Sequence, residues 1–174
     1  MKFQSTRFGT FEVKDNALLT FPSGILGFPE WTRYVLLDHD TDAPFKWLQC
    51  VEEAQLAFVV LDPIFFKTDY QIDIPPDASI EIQKQDNDEL SVVTILTIRS
   101  DDPSAVTANL RGPLIMNHRT RLCKQLVLTE DLPTRYPLFA AVSDQRVPAG
   151  ESRVLPLPDY RRRGREPLVH RTRL

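Results

Sequence analysis

The sequence predicts an all-β fold, a small antiparallel β-barrel or sandwich in a single domain, on three grounds. Fourteen prolines against six glycines weigh against long helices, because proline inside a helix costs about 3 kcal/mol. Apolar residues alternate with polar ones in runs of four to eight, the period of half-buried strands. Turn residues separate those runs at regular spacing, as in small antiparallel barrels and sandwiches. The 174 residues, 42% hydrophobic and 26% charged, are ordinary for a globular chain with room for one core.

The elements follow in order. Phe3, Phe8, Phe11 and Val13 flank Gly9-Thr10 and suggest an opening hairpin. Residues 17–21 read as a third strand before Pro22. Residues 34–38, 46–51 and 56–61 are further strands, each bounded by proline or acidic turn residues. Residues 70–74 alternate cleanly up to Pro75-Pro76 and also read as a strand. Residues 75–88 fit two readings: Ile80 and Ile82 alternate like a strand, while Pro76-Asp77-Ala78 can open a short helix. Residues 90–98 are β-branched and apolar, as in a central strand covered on both faces. Residues 113–117 and 121–128 form a hairpin around His118-Arg119-Thr120, with Leu122, Lys124, Leu126 and Leu128 on one face and Cys123, Gln125 and Val127 on the other. Tyr136-Pro137-Leu138 closes a domain spanning residues 1–144.

After about Val142 the chain changes character. Pro148, Pro156, Pro158 and Pro167 interrupt an Arg-rich stretch with few apolar residues, which cannot build its own core, so residues 145–174 are expected to form a flexible basic tail. Residues 1–145 carry 13 Lys and Arg against 21 Asp and Glu, a balance of -8, and residues 146–174 carry eight Arg against three acids, a balance of +5. An acidic body is a poor grip for phosphate backbones and a fair match for a basic partner. Arg161-Arg162-Arg163-Gly164-Arg165 invites an RNA-binding reading, but only Tyr160 stands by for base stacking, which favours a solvated tail or weak polyanion contact. The apolar runs fall short of the roughly 20 residues of a membrane span. Polar residues stand where a signal peptide would carry its apolar core, so the chain reads as cytoplasmic.

Candidate chemistry is sparse. Asp38, Asp40 and Asp42 share the opening spacing of a calcium loop, but its glycine and final glutamate positions hold Ala43 and Gln49, which favours a solvated turn and no metal. A hydrolytic reading would pair Cys50 or Cys123 with His39 or His118. No motif supports it, and surface histidines with buried thiols explain the same residues. Gly24 and Gly27 lack the companions of a phosphate loop and serve backbone geometry. Phe28, Trp31, Phe45 and Trp47 lie beside loops, where they either cap the core or anchor an interface.

Five ordered blocks carry a family resemblance: Phe21 through Glu30, with Gly24-Ile25-Leu26-Gly27-Phe28-Pro29; Pro44-Phe45-Lys46-Trp47-Leu48-Gln49-Cys50; Ala57 through Asp62-Pro63; Thr107 through Asn117; and Arg121 through Leu128, closing on Arg135-Tyr136-Pro137-Leu138. Together they resemble the flagellar assembly factor family FliW over roughly residues 1–140. The resemblance implies a small antiparallel β protein with no catalytic activity and no cofactor. It also implies two protein partners, flagellin and the RNA-binding translational repressor CsrA, exchanged in the cytoplasm as flagellin is exported. For partner-binding residues it points to Phe45, Trp47, Leu48, Gln49, Asn109, Leu110 and Asn117, which lie in the matching blocks. Residues 75–88 are shorter and less acidic than the family pattern, and residues 145–174 extend past it. An RNA-binding accessory protein acting through the tail is the alternative function.

Overall fold

A computed structural model describes residues 1–38, 44–102 and 104–139. The tail, with the expectation of its flexibility, lies outside the described residues, as do His39, Asp40 and Asp42. Eleven strands and one short helix are described. β1 (Lys2–Ser5) and β2 (Gly9–Glu12) form the opening hairpin. Its turn lies at residues 6–8 and not at Gly9-Thr10, because Ser5 Oγ accepts the Arg7 and Phe8 N–H groups. β3 (Leu18–Thr20), β4 (Arg33–Asp38), β5 (Lys46–Cys50), β6 (Ala57–Leu61) and β7 (Leu90–Ile98) then pair in sequence, all antiparallel. β8 (Val106–Ala108) and β9 (Leu114–Asn117) both pair with β7, along its C-terminal and N-terminal halves. β10 (Cys123–Gln125) pairs with β9 and β11 (Tyr136–Pro137) with β8.

The main sheet therefore runs β10-β9-β7-β6-β5-β4-β3. It curls until its ends meet at one parallel bridge between Thr20 and Leu122, held by the Thr20 N–H donating to Arg121 O at 2.9 Å. Beyond that bridge the two ends part, so the barrel stays open along a seam.

Strand alternation sorts side chains into three cores. Leu19, Phe21, Tyr34, Leu48, Val60, Leu114, Met116 and Cys123 fill the inside of the curl. Val35, Leu37, Trp47, Val59, Leu61 and Leu96 face the other way and are covered by Phe11 and Val13 of the opening hairpin. Ile115, Leu126 and Leu128 form a third core under α1 (Pro76–Glu81) and residues 70–74. The sequence left residues 75–88 open between strand and helix. Pro76 at the first helical position settles a six-residue helix that buries Ala78.

Residues 70–74 are not a strand. Tyr70, Ile72 and Ile74 pack on the third core, and the Tyr70 hydroxyl donates to Leu110 O at 2.7 Å, but no strand pairs with the segment. Alternation there records burial on one side without a ladder. β8 went unread in the sequence because three residues between Pro103 and the turn at residue 109 leave too short a pattern. Cys50 and Cys123 are buried free thiols.

Candidate functional site

The open seam is a cleft of about 490 Å³ between residues 23–29 on one side and residues 124–127 on the other, with Pro75 and Asp77 at its end. Its first wall is a tight loop. Ile25 is buried in the curl, the Phe28 N–H bonds Ile25 O at 2.7 Å, and Gly24 sits at φ +66°. A Cβ on Gly24 would lie 2.6 Å from Pro29 Cα, so only glycine closes this loop. With Ile25 pulled inward, Leu26 is turned out, 63% exposed.

The second wall is the free edge of β10. The Leu126 N–H bonds Pro113 O at 2.8 Å and the Leu128 N–H bonds Arg111 O at 2.9 Å, so even-numbered residues face β9. Gln125 and Val127 direct their backbone polar groups the other way, out of the sheet. Val127 is 65% exposed. Gln125 ties the walls together: its Oε1 accepts the Leu26 N–H at 2.9 Å and its Nε2 donates to Gly112 O at 3.0 Å. At one end Glu81 joins Lys124 and the Ser23 hydroxyl. Burial alone would raise the Glu81 carboxyl, but Lys124 and Ser23 outweigh it and hold the group below its ordinary 4.5.

The seven residues singled out in the sequence fall in three places. Phe45 is half-buried against the second core. Trp47 is buried there too, with Phe8 edge-on at 5.7 Å and the Arg7 guanidinium 4.2 Å over its ring. Leu48 is buried inside the curl. Gln49 is fully buried; its Oε1 accepts the Ser5 hydroxyl at 2.8 Å, and its Nε2 donates to Cys50 O at 2.9 Å and Leu56 O at 3.0 Å. These residues tie the opening hairpin to the sheet.

Asn109 Oδ1 accepts the Arg111 and Gly112 N–H groups at 3.1 and 2.9 Å. A Cβ on Gly112 would meet Asn109 Nδ2 at 2.9 Å and Gln125 Nε2 at 3.0 Å. Of the seven, Asn109 is therefore linked to the cleft, through Gly112 and Gln125. Leu110 is fully buried, and its carbonyl holds Tyr70. Asn117, also buried, donates to Ile82 O and Asp88 and accepts the Arg119 N–H at 3.0 Å. Leu48, Gln49, Leu110 and Asn117 thus present no side-chain surface to a partner.

The exposed apolar side chains lie elsewhere. Besides Leu26, Val127 and Ile80 on α1, the last at 77% exposure, Ile64 and Phe65 stand out at 59% and 63%, on a 3-10 turn capped by Asp62 Oδ1 accepting the Ile64 N–H at 2.9 Å. The sequence held a signal for Leu26, an apolar residue between two turn glycines, and for Ile64-Phe65, an apolar pair directly after a strand-ending Asp-Pro at 62–63.

The thiols are poor nucleophiles, because burial pushes both Cys50 and Cys123 up and away from thiolate. His118 Nε2 lies 2.6 Å from Ser91 Oγ, beside a serine and not a thiol. Asp38 pairs with Lys46. Among the described residues no cluster of three or more His, Cys, Asp or Glu is poised for a metal, and no helix is long and apolar enough to cross a membrane.

A curled antiparallel sheet, a hairpin covering its outer face and an open seam define an all-β protein that offers exposed apolar side chains beside a free strand edge. Residues 2–138 match the family model described as FliW protein, and the chain belongs to the FliW family. A "Flagellar assembly factor FliW" of Natranaerobius thermophilus is 39% identical over 140 residues, spanning 80% of this chain and 93% of its own length. One of Geobacter sulfurreducens is 37% identical over 149 residues, spanning 85% and 92%. A crystal structure of the flagellar assembly factor FliW superposes with a TM-score of 0.74 at 31% identity, over 81% of this chain and 99% of that one.

Proposed function

We propose that this protein is a flagellar assembly factor that acts in the cytoplasm by binding two proteins, flagellin and CsrA, without catalysis. Flagellin awaiting export occupies it and leaves CsrA free to repress flagellin translation. Once flagellin is exported, the freed protein binds CsrA and relieves repression, so that linkage between the two equilibria couples export to synthesis.

Family membership across residues 2–138 carries this reading. The balance of -8 over residues 1–145 supports it physically. An acidic body steers toward a basic RNA-binding surface, and docked beside that surface it repels RNA phosphates without occupying their contacts. Protonated, buried thiols favour a binding role over a cysteine nucleophile.

Calorimetric titration of the protein with flagellin and, separately, with CsrA from the same organism tests the reading. Saturable binding to both is the expected result, and binding to neither overturns it. Loss of RNA from CsrA on adding the protein should weaken as salt rises. A salt-independent effect, after correction for complex formation, would reject electrostatic exclusion while leaving the binding itself intact.

A further inference from the structure

We propose that the outer rim of the seam cleft, where Leu26, Ile80 and Val127 stand around Asp77, is the docking surface for a basic protein partner that presents an apolar segment flanked by lysine or arginine. The assignment rests on the proposed function, in which the RNA-binding repressor CsrA is the basic partner.

The three apolar side chains come from three elements that are tied into one face. Glu81 of α1 accepts the Ser23 hydroxyl at 2.5 Å from the loop and pairs with Lys124 of β10, and Gln125 Oε1 accepts the Leu26 N–H at 2.9 Å. Ile80 directly precedes Glu81, and Asp77, which lines the cleft, shares their side of the helix at spacings of three and four residues. Leu26 and Val127 line the cleft from opposite walls. Gln125 spans the gap between those walls, so a partner lies across the rims and does not thread between them. The same bridge holds the rims in place, which removes the cost of ordering them on binding.

The face is left uncovered. Leu26, Val127 and Ile80 are 63%, 65% and 77% exposed, although Ile25, Leu126 and Ala78 on the same three elements are buried. Apolar side chains gathered in one exposed place mark an interaction surface, where the same residues scattered singly do not.

Charge selects the partner. Lys124 is the cation of the lining, and Glu81 cancels it. Asp77 is exposed and forms no ion pair among the described residues. Glu30, next to the lining residue Pro29, and Asp73, two residues before the lining residue Pro75, are exposed and without ion pairs too. Carboxylates without counter-ions around an apolar patch complement an apolar segment with basic flanks. They repel the phosphates of a nucleic acid, and a second copy of the chain would bring the same carboxylates against them.

Calorimetric titration of the full-length chain with CsrA tests the proposal through two variants. Leu26→Asn/Val127→Thr exchanges both apolar side chains for neutral polar ones of similar size, so the charge is kept, and the urea midpoint should not move because both sites are exposed. CsrA binding should weaken about tenfold or more. Asp77→Lys should weaken it about threefold or more at low salt, and that deficit should shrink as salt rises. CsrA affinity unchanged in both variants overturns the proposal and leaves the proposed function standing. Failure of CsrA to bind the unsubstituted chain overturns the proposed function and this docking surface with it. Weakened flagellin binding with CsrA binding intact overturns the proposal and gives the rim to the other partner. Self-association of the unsubstituted chain that Leu26→Asn/Val127→Thr abolishes overturns it as well, and gives the rim to a second copy.

Discussion

Replacing Gln49 by Leu should destabilise the protein by about 3 kcal/mol, and the figure follows from what Gln49 holds. Three well-formed hydrogen bonds are lost: from the Ser5 hydroxyl at 2.8 Å, and to Cys50 O at 2.9 Å and Leu56 O at 3.0 Å. Each such bond contributes roughly 1 kcal/mol net. Leucine nearly matches the volume of glutamine, so no cavity term is added. Leu56 O keeps the Cys50 N–H at 2.9 Å, which limits the loss at that acceptor, while the Ser5 hydroxyl proton loses its buried acceptor. Ser5→Ala alone should cost about 1 kcal/mol, and the double variant should fall short of the sum by a similar amount. Urea unfolding with an unchanged slope measures these differences. Hydrogen exchange should show residues 2–12 released ahead of the rest of the sheet. A Gln49→Leu cost below about 1 kcal/mol, with the hairpin equally protected, would refute Gln49 as the tie between hairpin and sheet.

Tyr34→Phe should be neutral or stabilising by up to about 1 kcal/mol, because the Tyr34 hydroxyl is buried without a hydrogen-bond partner among the described residues; a large loss on urea unfolding would show a missed partner. The Arg119 guanidinium bonded to Asp88 holds that carboxyl well below its ordinary 3.8. The ion pair therefore stabilises fully above about pH 3.8 and fades as pH falls below it. Asp88→Asn should lower the urea midpoint at pH 7, and its gap to the parent chain should narrow steadily as pH falls below 3.8, whereas a constant gap would exclude Asp88 as the source. Cys50 and Cys123 should resist a thiol-disulfide reagent in native buffer and react on unfolding, and rapid labelling of the native protein would contradict their burial. Leu26→Asp and Val127→Asp should leave the unfolding midpoint unchanged, since both side chains are exposed; a collapse in stability would mean that they pack.

Much of the fold was legible because alternation is a direct record of which side of a strand is buried. Cys123 against Leu122, Leu126 and Leu128 shows this well, since the two faces of one segment feed two different cores. The same signal misled at residues 70–74, where one side is buried but no strand lies alongside. Residues 75–88 stayed open because six helical residues hold too few turns to show a 3.6-residue period. The matching blocks located residues that matter to the fold. They could not separate Gln49 and Asn117, which hold buried turns and hairpins, from Leu26, which faces solvent. That distinction depends on the loop geometry imposed at Gly24, and a side chain's direction at a tight turn is not written in periodicity.

Competition calorimetry tests the central claim most directly: the protein is titrated into CsrA first alone and then with flagellin already at saturation. The account predicts clear binding in the first experiment and its loss or strong attenuation in the second. Undiminished CsrA binding at saturating flagellin would contradict the partner switch.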